Sequence, residues 1–231
     1  MPKHFLVATI SVAVILALAG CGPDHRAVGK RTSTSGATST STSTSMSTST
    51  STAGATPGAQ AHKTIADYIR DNGITETAVH RGDPGCPTID LAVPPGWQSS
   101  SGSAASYGSI SLAHPADPAD PPTISALLSK LTGDVDPAKI LEYAPGELQN
   151  LPGYDGFGGG SASTLGGFRA WQLGGTYAKG GATRAVAQKT VVIPGRGAVF
   201  VLRITADALE SDLEPLMDAT SVIDKQTRIT A

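Results

Sequence analysis

A run of serine and threonine near the amino terminus limits which part of this chain can fold. Between residues 32 and 52, 18 of the 21 residues are Ser or Thr. Such a segment has almost no apolar surface to bury, so it is predicted to be disordered. As a flexible coil, residues 21–62 would span roughly 35 Å from end to end. The folded core must therefore come from residues 63–231, which suffice for one domain of ordinary size.

The first 20 residues have the features of an export signal. Lys3 supplies a positive charge, residues 5–18 are apolar except for Thr9 and Ser11, and small residues follow. A transmembrane helix needs about 20 apolar residues, so this shorter stretch is predicted to be a secretory signal peptide. In an exported protein, runs of Ser and Thr are common acceptors of O-linked sugar. A glycosylated stalk and an unmodified spacer both fit the composition.

The residues Leu18-Ala19-Gly20-Cys21 resemble the lipobox of bacterial lipoproteins. The resemblance implies cleavage between Gly20 and Cys21 and attachment of acyl chains, such as palmitate, at Cys21. Each methylene buried in the bilayer adds about 0.8 kcal/mol of membrane-binding free energy, so these chains would anchor the protein on the extracytoplasmic face of the cell membrane. Part of the protein is expected to be released from the membrane. The alternative is a plain secretory signal. The chain has two cysteines, so a lipidated Cys21 leaves Cys86 without a disulfide partner, and we expect Cys86 to be a buried small residue.

Hydrophobic spacing predicts a mixed first half of the domain. Thr64 and Asp67 form a capping-box pair at the start of a helix over residues 64–72. Turn residues then separate three predicted strands, over residues 75–81, 88–93 and 107–113. A second helix is predicted where apolar residues fall at helical spacing before Gly133, and a third helix begins at Asp136-Pro137. The apolar residues of the second helix are Ile124, Leu127, Leu128 and Leu131.

The second half of the domain is predicted to be rich in strands. Residues 167–178, 183–193 and 198–205 read as consecutive strands joined by short glycine-containing turns, which indicates an antiparallel sheet. A capping box at Ser211 and Glu214 opens a final helix. Its predicted buried stripe consists of Leu213, Leu216, Met217 and Thr220. This order of strands and helices predicts an α+β fold.

The sequence lacks the motifs of nucleophilic, zinc-dependent and phosphate-binding enzymes. His62, His80 and His114 are far apart and have no second ligand type at metal spacing. The glycines of residues 156–160 lack the lysine of a phosphate loop, and a flexible loop is predicted there. Residues 63–231 contain 13 Lys and Arg against 18 Asp and Glu, which disfavours nucleic acid as a partner. We therefore expect no enzyme activity, no metal and no cofactor.

Aromatic residues beside glycine-rich segments are the remaining candidates for a binding site. Aromatic rings stack on sugars and line acyl chains, so a group of them suits a glycolipid ligand. The alternative is that these rings form the core of the sheet. The candidate ligand-binding residues are Trp97, Tyr107, Tyr154, Phe157, Phe168 and Trp171.

Residues 63–231 resemble the LpqN-type lipoprotein family of mycobacteria. The resemblance is carried by residues 64–72, by Ile74-Thr75-Glu76-Thr77, by Arg81-Gly82-Asp83-Pro84-Gly85, and above all by Val93-Pro94-Pro95-Gly96-Trp97 after a strand. It implies a single domain with a PsbP-like fold, in which α-helices cover an antiparallel β-sheet. It supplies no catalytic residue, and a fold alone does not name a reaction.

The resemblance also implies where and with what the protein works. We expect a membrane-anchored, non-enzymatic lipoprotein that binds envelope glycolipid, or envelope lipid transporters, and so supports assembly of the mycolic-acid envelope. The alternative is a secreted or surface-exposed protein-protein interaction module, of the kind found among antigens and virulence-associated proteins. A hydrolase or transferase acting on envelope lipids is a weaker third hypothesis.

Overall fold

The computed structural model describes residues 61–100, 103, 106–156 and 158–231. The predicted signal peptide, the lipidation site at Cys21 and nearly all of the predicted linker lie outside these residues. Phe157 also lies outside them. In the described part of the chain, no helix is long and apolar enough to cross a membrane.

The domain is built from four α-helices and eleven β-strands within the described residues. In chain order they are α1 (Ile65–Asp71), β1 (Thr75–Val79), β2 (Thr88–Asp90), β3 (Trp97–Ser99), β4 (Gly108–Leu112), β5 (Thr123–Thr132), α2 (Pro137–Tyr143), α3 (Gly146–Gln149), β6 (Asp155–Gly156), β7 (Ser161–Leu165), β8 (Phe168–Lys179), β9 (Ala182–Gly195), β10 (Ala198–Leu209), α4 (Leu213–Gln226) and β11 (Arg228–Thr230).

Nine strands form one antiparallel sheet in the order β3-β4-β5-β10-β9-β8-β6. Strand β1 shares the outer edge of β5 with β4, and β7 shares the outer edge of β8 with β6. The long strands β8, β9 and β10 follow one another as two hairpins, so most of the sheet comes from consecutive chain. Strands β2 and β11 form a separate two-stranded sheet.

Side chains on alternate positions of the strands cover two faces of the large sheet. On one face, α4 packs Leu216 and Ile223 into a cluster with Val191 and Leu202. On the other face, α1 and α2 pack against a second cluster that includes Val192 of β9. The arrangement confirms the predicted α+β class, with helices on an antiparallel sheet.

Most of the predicted elements are present. The helix after Thr64 has the predicted capping box, in which the Thr64 hydroxyl accepts from the Asp67 backbone N–H and the Asp67 carboxylate accepts from the Thr64 backbone N–H. Asp136 caps α2 by accepting from the N–H of Ala138. The three predicted strands of the second half correspond to β8, β9 and β10. The strands β1, β2 and β4 are shorter than predicted.

The helix predicted over residues 124–131 is wrong, because this segment is β5. Ile124, Ala126 and Leu128 are buried on one face, and the residues between them are only half-buried. Strand β10 pairs with one edge of β5, while β1 and β4 share the other edge. The four leucine and isoleucine residues also fit a helical spacing, but pairing on both sides satisfies the backbone of a central strand and overrides that pattern.

Two other predictions require correction. Helix α4 begins at Leu213 after a 3₁₀ turn, and no side chain caps it, so the predicted box at Ser211 and Glu214 is absent. Its buried residues are Leu216, Ala219 and Ile223, whereas Leu213 and Met217 are 39% and 61% exposed. The predicted loop between Tyr154 and Phe168 contains the short strands β6 and β7, which pair with β8.

Cys86 is half-buried and forms no disulfide among the described residues. It packs against the cluster beneath α4 and the two-stranded sheet. Cys86 is therefore less buried than predicted.

Candidate functional site

A cavity of about 380 Å³ lies between helix α4 and the sheet. We call it the α4 cleft. Its floor comes from β8, β9 and β10, its roof from the second half of α4, and one end from the start of β7. The residues that line it are Gly160, Ser161, Gln172, Leu173, Gly174, Ala187, Gln188, Lys189, Ile204, Ala206, Thr220, Ile223 and Asp224.

Small side chains on the sheet create the space beneath the helix. Gly174, Ala187 and Ala206 are direct neighbours across β8, β9 and β10, so they form one row of the floor. A row of larger residues there would meet the helix and fill the gap, as side chains do elsewhere in a close-packed interior. The space beneath the helix therefore exists because three small residues are aligned across the three strands.

The next row of the floor is polar on one side and apolar on the other. Gln172, Lys189 and Ile204 are neighbours across the same three strands. The Lys189 ammonium lies 2.6 Å from the Asp224 carboxylate of α4. The cleft therefore combines an apolar surface with an ammonium, a carboxylate, an amide and the hydroxyls of Thr220 and Ser161. Such a lining can bind a hydrocarbon chain and form hydrogen bonds to hydroxyl groups.

The end of the cleft is closed by a loop that lies tightly against β8. The Trp171 indole N–H donates to the Gly159 carbonyl at 3.1 Å. Gly160 has a φ of +84°, and a Cβ added there would lie 2.6 Å from Trp171 Nε1 and would also contact the Gln172 carbonyl. Only glycine fits this position without displacing the loop.

The predicted aromatic residues do not converge on one site. Trp97 and Tyr107 are buried in the large cluster, and Phe168 packs against that cluster. Trp171 and Tyr154 pack against clusters on the opposite face of the sheet. None of these five residues lines the α4 cleft, and Phe157 lies outside the described residues. A role for the six in ligand binding stays a prediction.

One aromatic residue supports the cleft from behind. The Tyr154 hydroxyl donates to the Gly174 carbonyl at 3.1 Å, and Gly174 belongs to the small-residue row. Burial raises the pKa of Tyr154, with a smaller contribution from Asp155. The phenol therefore remains a hydrogen-bond donor at neutral pH and holds β8 in place.

Sequence reasoning missed Lys189 and Asp224 as candidates. Lys189 falls within an otherwise largely apolar stretch of β9, and this residue is only 8% exposed. A cation in such a stretch needs a partner when it is buried. That rule could have identified Lys189 from the sequence, but not Asp224, because only the folded chain brings the final helix over β9.

A second group of ionisable residues lies on the face opposite α4. The Arg184 guanidinium, almost fully buried, pairs with Asp120 and with Asp207. The Tyr177 hydroxyl donates to Asp207 at 2.5 Å. Burial and this hydrogen bond raise the pKa of Tyr177 to about 12. The group fixes the segment before β5 to the sheet, and each of the three guanidinium nitrogens of Arg184 donates to a carboxylate.

In the described ranges, no three His, Cys, Asp or Glu side chains are arranged to hold a metal ion. The fold and the cleft define a class: an α+β domain whose antiparallel sheet carries helices and a ligand-sized cleft beneath the last helix. Comparison places the chain more narrowly. It belongs to the family described as probable lipoprotein LpqN, whose model matches residues 61–230. The predicted family resemblance is confirmed.

Two mycobacterial relatives agree with this assignment. Lipoprotein LpqN of Mycobacterium tuberculosis (strain ATCC 25618 / H37Rv) is 62% identical over 229 residues, which cover 99% of each chain. The crystal structure of LpqN involved in cell envelope biogenesis of Mycobacterium tuberculosis is 65% identical, with a TM-score of 0.72, and covers 74% of this chain and 99% of that one. The solution structure of cyanobacterial PsbP from Synechocystis sp. PCC 6803 is 11% identical, with a TM-score of 0.41, and covers 67% and 92%.

Proposed function

We propose that this chain is a non-enzymatic envelope lipoprotein that binds an envelope glycolipid in the α4 cleft. Its lipidated Cys21 would hold it on the outer face of the cytoplasmic membrane. There the domain would exchange glycolipid with lipid-transport proteins during assembly of the envelope. The crystallised relative is described as involved in cell envelope biogenesis, and this process is the context in which we place the chain.

The main observation in support of this proposal is the shape and chemistry of the α4 cleft. Its volume of about 380 Å³ falls within the range of roughly 300–1,000 Å³ that is usual for small-molecule sites. Ile204, Ile223 and the small-residue row offer an apolar surface, and Lys189 with Asp224 offers charged partners at the same site. An acyl chain with a hydroxylated head group presents the complementary chemistry.

The same residues favour binding over catalysis. Lys189 and Asp224 are paired with each other, so each of the two charged groups of the cleft already has a partner. A nucleophile needs a neighbouring base to activate it, and the lining of the cleft contains neither a histidine nor a cysteine. The family description and those of the relatives name no reaction. Binding without turnover is the simpler role for this cleft.

One observation favours the alternative of a protein-protein interaction module. Leu213 and Met217 lie one turn apart on α4 and are 39% and 61% exposed. Exposed apolar residues at this spacing suit a contact with another protein. If this contact is the main function, replacing both residues with Ser should abolish crosslinking to partner proteins and leave bound lipid unchanged.

The cleft is tested with two substitutions on neighbouring residues of α4. Thr220 lines the cleft, so Thr220→Trp fills it with an indole. Ser221 is exposed and outside the lining, so Ser221→Trp is the matched control. Each full-length variant is purified from a mycolic-acid-producing host in parallel with the unchanged protein. Native mass spectrometry then measures the fraction that carries lipid beyond the anchor.

We expect lipid on the unchanged protein and on Ser221→Trp, and a loss of about tenfold on Thr220→Trp. Crosslinking in cells should join the unchanged protein to envelope lipid transporters. The glycolipid proposal fails if neither co-purified lipid nor crosslinked transporter is found. Equal lipid on the two tryptophan variants would place the ligand elsewhere on the domain.

A further inference from the structure

A second pocket, with a volume of about 540 Å³, lies at the turn between β9 and β10. We call it the hairpin pocket. It shares no lining residue with the α4 cleft, so it is a separate place on the domain. The residues that line it are Gly85, Cys86, Pro87, Lys130, Pro194, Gly195, Arg196, Phe200 and Ala231.

The wall of the hairpin pocket is fixed by close packing. Phe200 of β10 is the direct neighbour of Lys130 on β5. Its ring lies against Gly195, where an added Cβ would be 2.5 Å from Phe200 Cε2. The hairpin therefore holds the ring in one place, and the ring in turn limits where the Lys130 side chain can lie.

Two cations face the pocket without a carboxylate partner. Lys130 is half-buried and Arg196 is exposed at the tip of the hairpin. Among the described residues, neither has a carboxylate oxygen within 4.0 Å. Ala231 also lines the pocket. The side chains that line the pocket therefore include two cations and no carboxylate.

We propose that the hairpin pocket binds the phosphate group of a phosphate ester. A guanidinium and an ammonium carry only hydrogen-bond donors and no acceptors. They therefore bind phosphate oxygens with strong, charge-assisted hydrogen bonds. A phosphate monoester carries about −1.5 to −2 charges at neutral pH, which matches the two cations. Phe200, Pro87 and Pro194 supply an apolar wall beside them for the carbon part of the ester. The ester is either a lipid head group or a soluble compound.

The test uses the full chain with Cys21→Ser, which leaves Cys86 as its single cysteine. The chain is labelled with ¹⁵N, and NMR follows the backbone amide and the Nε of Arg196 during titration with inorganic phosphate. A second titration uses short-chain phosphatidic acid below its micelle concentration. Sodium chloride at matched ionic strength controls for screening. Alkylation of Cys86 by neutral iodoacetamide, with and without each probe, reports occupancy of the pocket independently.

We expect saturable shifts at Arg196 and slower alkylation of Cys86 with both probes. The double variant Lys130→Gln/Arg196→Gln should bind at least about tenfold more weakly. The control Lys179→Gln/Lys225→Gln removes the same charge from exposed positions outside the pocket and should bind normally. Melting temperatures verify that every variant is folded. If the Lys130 change unfolds the domain, the single variant Arg196→Gln replaces the double variant in the binding measurements.

The two probes distinguish the sources of the ester. Tighter binding of phosphatidic acid than of inorganic phosphate supports a lipid head group, and the reverse order supports a soluble ester. The proposal is overturned if sodium chloride produces the same shifts of the Arg196 signals as the two probes. It is also overturned if both probes leave the Arg196 signals and the alkylation rate of Cys86 unchanged. Equal binding by the double variant and by the control variant would overturn it as well.

Discussion

The Lys189 ammonium of β9 and the Asp224 carboxylate of α4 lie 2.6 Å apart where the last helix crosses the sheet. The two groups differ in exposure, since the Lys189 side chain is 9% exposed and that of Asp224 is 42% exposed. The pair joins the final helix to a central strand beside the row of small residues. It therefore helps to set the height of the α4 cleft.

The unequal exposure predicts unequal effects of breaking the pair. Asp224→Asn leaves a buried ammonium without its charged partner, and we expect it to lower the free energy of unfolding by about 1–3 kcal/mol. Lys189→Met leaves a carboxylate that water can reach, so its cost should be smaller. Urea unfolding of both variants measures the difference. Asp218→Asn, at an exposed position of the same helix, is the control and should change stability by less than about 0.5 kcal/mol.

The hydrogen bond from Tyr177 to Asp207 predicts a loss of stability at alkaline pH. Folding raises the pKa of Tyr177 from 10.0 to about 12, through burial and then through this hydrogen bond. The stabilisation is therefore complete below pH 10 and is lost as the pH rises through about 12. We expect Tyr177→Phe to cost about 1.5–3 kcal/mol at neutral pH and clearly less at about pH 11. A cost that does not change between these two conditions, measured by urea unfolding, would contradict the assignment.

The parts of the fold that were predictable from sequence are those with local signals. The capping box at Thr64 and the proline in the first turn of α2 are each visible within a few neighbouring residues of the sequence. The three long strands are bounded by short turns. Strand β5 was not predictable in this way. Its apolar residues fit two periodicities, and only the partners on both of its edges decide between them.

The candidate site was less predictable than the fold. The aromatic residues suggested a ligand from their chemistry, but the structure distributes the five described ones among three clusters. The α4 cleft depends on the register that aligns Gly174, Ala187 and Ala206. Each of these residues is unremarkable in its own strand, and their alignment is a property of pairing across distant segments.

The predicted lipid attachment can be tested with the two cysteines of the chain. Cys21→Ala removes the thiol that would carry the lipid, and we expect it to move the protein from the membrane fraction to a soluble one. Cys86→Ala is the control and should remain in the membrane fraction. Fractionation and immunoblotting of the native host measure the distribution. If Cys21→Ala stays on the membrane, the anchor is not at this residue.

The loop that closes the α4 cleft predicts opposite behaviour of two adjacent glycines. An alanine at Gly160 would meet Trp171 Nε1 at 2.6 Å with φ at +84°, whereas a Cβ at Gly159 meets nothing within 4 Å. We expect Gly160→Ala to lower the free energy of unfolding by about 1–3 kcal/mol, because the loop must move and a left-handed backbone is strained. Gly159→Ala should change it by less than about 0.5 kcal/mol. Urea unfolding measures both, and a shift in tryptophan fluorescence for Gly160→Ala would report the lost hydrogen bond from Trp171 to Gly159. Equal effects at the two positions would mean that the loop is not held against β8 as described.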